Sequence, residues 1–195
     1  MPVSDDEEIR VELERIFGGS NVKFNWDIAT KSRDLMNHEA YSPEPDFAVG
    51  PFNLEPDELS KDRDIAAIDT VYRHTLNDLV EPIRRASDVP NRELAINPNP
   101  RFFMGIEVES EHPTMKHKLG GLLNASILSR VGLMVGRDQK TTNRIRSIRR
   151  YLDTSLNLGK TQWRIDNVLI LERDSLLRIL QAAENHNVED LLAGR

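Results

Sequence analysis

The chain has 195 residues, enough for one substantial core and short for two. With 38% hydrophobic and 30% charged residues it reads as an ordinary globular protein, and no run approaches the ~20 apolar residues that would span a bilayer. A net charge of -6 counts against a general nucleic-acid coat protein, and the absence of cysteine excludes disulfides and thiolate metal sites, so any metal must be held by oxygen or imidazole.

The acidic start, Met1 to Glu14, has neither a basic segment nor an apolar h-region, which predicts no secretory signal and, with the cysteine-free composition, a cytoplasmic protein. Acids concentrate in residues 1 to 70. Arg130, Arg137, Lys140, Arg144, Arg146, Arg149, Arg150 and Lys160 crowd a stretch with few acids, a local basic patch compatible with a polyanion.

In chain order, Ile9, Leu13, Ile16 and Phe17 are spaced for one buried helix face over residues 4 to 17, with Ser4 as N-cap and Gly18-Gly19 as the stop. Val22 to Ile28 alternates weakly and is read as a strand. Phe47 to Phe52 is a strand bracketed by Pro45 and Pro51. Pro56 then opens a long helix carrying Leu59, Ile65, Ile68, Tyr72, Leu79 and Ile83 to about Ala86. Residues 88 to 100 are turn-rich by their prolines, asparagines and aspartate. A strand over Phe102 to Ser110 is followed by a helix from Pro113 and Thr114 to about Ser129. The compact run Val131 to Val135 is a strand, Thr142 to Leu156 a helix, Asn167 to Leu171 a strand and Ser175 to Ala183 a helix capped by Asp174. Residues 186 to 195 form a tail that frays or makes one more turn. Alternation of strands and helices from residue 102 implies βαβ crossovers, hence an α/β fold with helices packed on a mixed central sheet.

The most informative stretch is Phe102-Phe103-Met104-Gly105-Ile106-Glu107-Val108-Glu109-Ser110. With a period of two, Glu107 and Glu109 project to one side and Ile106 and Val108 to the other, so two carboxylates stand close together in a geometry that favours a divalent cation. Asp46, in Pro45-Asp46-Phe47, opens another apolar run and converges on the same point if the two segments share a sheet. The bland alternatives are a solvated edge-strand face for the glutamates and a turn-shaping role for Asp46.

The order helix, Pro-Asp strand, acid-x-acid strand, helix, short apolar strand resembles the PD-(D/E)xK nuclease superfamily, whose fold is restriction-endonuclease-like. Pro45-Asp46 and Glu107-Val108-Glu109 carry the resemblance, and the order of elements covers about residues 4 to 136. It implies one restriction-endonuclease-like domain over 1–195, with a helical insertion at about 56–87 and a C-terminal tail at about 186–195. It also implies a Mg²⁺-dependent endonuclease acting on DNA, with Mn²⁺ as a substitute. Asp46, Glu107 and Glu109 would be the acids of the metal site, Asp46 and Glu107 its principal ligands, and the enzyme would act as a homodimer. Mg²⁺ suits such a set because it takes few carboxylates and keeps several waters.

The chain departs from the family at Glu109, where the commonest version has lysine. Helical geometry puts Lys116 on the edge of the apolar face formed by Leu119, Leu122, Leu123 and Ser126, leaning back toward Glu109, and turns Lys118 away. Lys116 is therefore the candidate for a migrated lysine, with snorkelling along the helix as its bland reading. Glu12 is a weak addition from the first helix, as some members use a glutamate there. Arg146, Arg149 and Arg150 share one helix side and form a candidate nucleic-acid-binding surface. Specificity would lie in residues 29 to 45 and 87 to 100.

Competing chemistries lack their residues. The histidines at 38, 74, 112, 117 and 186 form no His-Glu-x-x-His pair, and the chain has no phosphate loop, no Gly-x-Gly-x-x-Gly and no Gly-x-Ser-x-Gly. The alternative of another class is a non-catalytic nucleic-acid-binding or interaction module that retains the fold, favoured by Glu109 and by the acidic total charge. An unrelated α/β protein with coincidental strand acids is the third reading.

Overall fold

The computed structural model describes residues 5–26, 44–54, 58–87, 94, 97–162 and 164–193. The Ser4 cap, Ile28, Pro56 and most of the two expected specificity segments lie outside these residues.

Eight consecutive buried residues, Ser129–Gly136, form the strand on which two helical layers meet. A strand reads as a continuous apolar run when both of its faces are covered. In chain order the elements are α1 (Asp5–Phe17), β1 (Val22–Phe24), β2 (Phe47–Phe52), α2 (Glu58–His74), α3 (Glu81–Ala86), β3 (Phe102–Glu109), α4 (Met115–Leu128), β4 (Ser129–Gly136), α5 (Gln139–Asn157), β5 (Val168–Glu172), α6 (Arg173–Ala182) and α7 (Val188–Ala193). The sheet runs β1-β2-β3-β4-β5. The β1–β2 and β2–β3 pairs are antiparallel, whereas the β3–β4 and β4–β5 pairs are parallel, so the sheet is mixed as expected.

Side-chain alternation divides the core. Val131, Leu133 and Val135 of β4 with Leu169 and Leu171 of β5 meet α1, α2, α3 and α6 through Ile9, Leu13, Ile68, Ile83 and Leu176. Met134, Val168 and Ile170 face the other way, against Leu122 and Ala125 of α4 and Ile145, Ile148 and Leu152 of α5. Helices α4 and α5 occupy one face because the two parallel crossovers step in the same direction along the sheet and share one hand.

Two expected details differ. The long helix ending near Ala86 is interrupted: α2 stops at His74, a π-helical turn covers Leu76–Val80, and α3 begins at Glu81. Pro82 has no N–H to donate to Asp78, and Val80 N–H instead reaches back five residues to Thr75 O at 3.0 Å. Helix α6 starts at Arg173 with Glu172 at its N-cap position, so Asp174 lies within the helix and does not cap it. The tail makes one more helical turn, α7, which is one of the two outcomes expected for it.

Helix α4 passes straight into β4 and would leave its last carbonyls without partners. Two asparagines meet that need. Asn167 Nδ2 donates to Ser126 O at 2.9 Å and Ser129 O at 3.0 Å, and Asn97 Nδ2 donates to Ile127 O at 2.8 Å. The carboxyl ends of β3, β4 and β5 lie at the opposite edge, where α4, α5 and α6 begin. Arg137 to Asp6 at 2.7 Å and Arg173 to Glu8 pin the start of α1 to that same edge.

Candidate functional site

Asp46 and Glu107 come together at the carboxyl end of β3. The antiparallel register pairs Phe47 with Ile106, and one step further sets Asp46 opposite Glu107. Asn25 N–H donates to Asp46 O at 3.1 Å, which holds the backbone there, and Val108 N–H donates to Asp46 Oδ2 at 2.6 Å, which holds the carboxylate. Glu107 and Glu109 share a face and line a cleft of about 400 Å³ with Glu44 and with Lys116, His117, Gly120, Gly121 and Asn124 of α4. The alternation expected along this strand holds, since Ile106 joins the opposite core.

The electrostatics are those of acids crowded together without enough cations. Burial is the largest cause that raises the Glu107 pKa, and the negative fields of Asp46 and Glu109 add to it, so it stands at about 9. Burial likewise raises Asp46; the Val108 amide opposes that shift, Asp6 and Glu109 add to it, and Arg137 lowers it. The carboxyl group of Glu107 has no hydrogen bond or ion pair to another described residue.

Lys118 is where sequence and structure part most. It is fully buried and points at the sheet, with Nζ donating to Glu109 Oε2 at 3.3 Å, Ser110 O at 2.8 Å and Pro113 O at 3.0 Å. Its three ammonium protons are thus all spent inside the protein. The buried side of α4 is Lys118, Gly121, Leu122, Ala125 and Ser126, while Leu119 and Leu123 are only partly buried. Small residues at 121, 125 and 126 concealed that i, i+3, i+4, i+7, i+8 pattern, and the leucines pulled the expected face round by one position. Lys116 is exposed and stands on the α4 wall of the cleft.

The first helix contributes a different acid from the one expected. Glu12 pairs with Arg15 at 2.7 Å, whereas Asp6, six residues earlier, is the α1 acid whose field reaches Asp46. Of the three arginines assigned to one surface, Arg149 is turned inward: 6% exposed, it donates to Val168 O and lies 3.6 Å from Asp153. Arg146 is half-buried and donates to Asn143 Oδ1 at 3.3 Å; Arg150 is exposed and donates to Ser147 Oγ at 3.2 Å. These three therefore do not form one continuous binding face.

Among the described residues no three His, Cys, Asp or Glu side chains are gathered into a ready metal cage. A hard cation needs less. Asp46 and Glu107 offer carboxylate oxygens in a desolvated, negatively charged place, a donor set that fits Mg²⁺, which binds through one or two carboxylates and keeps its remaining waters. Glu109 is drawn to Lys118 through Oε2, which makes it a poorer ligand than the other two.

Comparison with protein-family models, with characterised proteins and with solved structures gives no match to this chain. Among the described residues no helix is long and apolar enough to cross a membrane.

Proposed function

We propose that the chain is a Mg²⁺-dependent nuclease of the PD-(D/E)xK type that hydrolyses DNA phosphodiester bonds, with Asp46 and Glu107 as the residues that hold the cation. One observation carries the reading: the Val108 amide fixes the Asp46 carboxylate beside Glu107, whose pKa of about 9 marks a place that lacks a positive charge. Bound there, the ion would activate water and offset negative charge on a phosphate. Glu109, anchored by Lys118, deepens the negative field from one side. Lys116 faces the acids across the cleft, where a lysine can meet a phosphate oxygen. Cutting both strands of a duplex with one such centre per chain is easiest for a homodimer, which we include in the proposal.

The test is cleavage of supercoiled plasmid with Mg²⁺ or Mn²⁺. Nicking by the wild type that disappears with EDTA and in Glu107→Gln supports the reading. No cleavage in either ion, or full cleavage by Glu107→Gln, refutes it. A non-catalytic nucleic-acid-binding module is the second reading, and one observation favours it: Lys118, the ammonium nearest the acids, is fully engaged with Glu109, Ser110 and Pro113 and is not offered to a ligand.

A further inference from the structure

Two adjacent glycines in α4 border the cleft, and they differ in a way that packing alone does not explain. A Cβ at Gly121 would come within 3.3 Å of Met134 Cε and 3.4 Å of Glu109 Oε1, so that position is small because the sheet and the acids crowd it. A Cβ at Gly120 would meet nothing within 4 Å. Glycine inside a helix costs roughly 1 kcal/mol relative to alanine, and α4 bears that cost at Gly120 where the fold has room for a side chain. The space over Gly120 lets a ligand approach the helix backbone closely.

The cleft walls differ in charge. Lys116, Gly120 and Asn124 are spaced four apart and form one ridge along α4, about 12 Å from end to end at 1.5 Å per residue. All three line the cleft that also contains Glu107 and Glu109. One wall is therefore acidic and suited to a cation, while the α4 wall carries an exposed ammonium, an amide and bare backbone. An anionic chain would satisfy both walls if its phosphate shared a cation with the acids.

We propose that the Lys116–Gly120–Asn124 ridge of α4 is the track on which a nucleic-acid backbone lies, with Lys116 meeting a phosphate, Gly120 admitting the strand against the helix and Asn124 contacting it one turn further on. This rests on the nuclease reading and moves the nucleic-acid surface from α5 to α4.

The experiment compares wild type, Gly120→Ala, Gly120→Leu and Lys116→Ala by thermal unfolding, by binding of a fluorescent single-stranded oligodeoxythymidine with Ca²⁺ as the hard cation over a series of salt concentrations, and by calorimetric titration with Mn²⁺. Gly120→Ala should raise Tm by about 2–4 °C. It should also weaken oligonucleotide binding several-fold, and Gly120→Leu should weaken it by about tenfold or more, with Mn²⁺ binding unchanged in both. Lys116→Ala should keep the wild-type Tm and reduce the slope of log affinity against log salt by about one phosphate contact. Wild-type oligonucleotide affinity in both glycine variants overturns the track and leaves the nuclease reading standing if Mn²⁺ still binds. A wild-type chain that takes up neither Mn²⁺ nor the oligonucleotide ends the nuclease reading and the track with it.

Discussion

Val108 N–H and Asp46 Oδ2 are 2.6 Å apart, a hydrogen bond between residues separated by 62 positions that ties the entry of β2 to the exit of β3. A backbone amide donating to a charged carboxylate contributes about 1.5–3 kcal/mol, and it fixes where the negative charge stands. Asp46→Ala leaves the Val108 amide without this acceptor and should destabilise the fold by about 1–3 kcal/mol in denaturant unfolding. Asp46→Asn keeps an oxygen there and should cost less, which makes it the cleaner variant for testing metal binding.

Stability should fall with rising pH in the metal-free protein. The Glu107 pKa is raised from 4.5 to about 9 by burial and by its acidic neighbours, so the folded state keeps a proton that the unfolded chain releases. The stabilisation tied to that proton is complete below about pH 4.5 and lost as pH climbs through about 9. Asp46 contributes in the same sense, since its pKa is also raised. Glu107→Gln should flatten the decline in Tm between neutral and alkaline pH, and Mg²⁺ should restore part of the loss in the wild type by binding the folded state alone. A Tm that rises over this range in both proteins would contradict the assignment.

Lys118 and Glu109 form a buried pair, and breaking it from one side should be costly. Lys118→Met leaves the Glu109 carboxylate beside two other acids and removes the donor from the carbonyls of Ser110 and Pro113. A loss of about 3–5 kcal/mol is expected, enough to lower Tm by roughly 6–20 °C. Adding Glu109→Gln to that variant should recover part of the loss, because the uncompensated charge is gone. Two single effects that simply add would show that the pair is not coupled.

The arginines of α5 should separate by function. Arg149→Ala should cost about 1–3 kcal/mol, since it removes the donor to Val168 O in the core. Arg150→Ala, at an exposed position, should change stability by less than about 0.5 kcal/mol. Urea unfolding of the two variants side by side distinguishes them.

The sequence reveals elements with strong periodicity and hides those set by long-range packing. Phe47–Phe52 and the run around Phe102 to Glu109 were legible because short apolar stretches between prolines and turn residues have few other solutions, and α1 because four apolar residues repeat at helical spacing. The meeting of Asp46 with Glu107 followed once both strands entered one sheet. The burial of Lys118 is not legible in the sequence because it depends on acceptors from Glu109, Ser110 and Pro113, and no local rule announces three of them at once. The charge of Arg149 suggests the surface, whereas its position between Ile145 and Leu152, which are both buried, turns it inward. The π-helical turn at Leu76–Val80 is signalled locally only by Pro82, which cannot donate to Asp78 O.

The most direct measurement is calorimetric titration of Mn²⁺ into the wild type, Asp46→Asn and Glu107→Gln at pH 7, with folding of each checked by circular dichroism. Saturable binding of the ion to the wild type is expected, with its loss, or a weakening of at least about tenfold, in both variants. A folded wild type that takes up no divalent ion, or folded variants that bind it as tightly as the wild type, would contradict it.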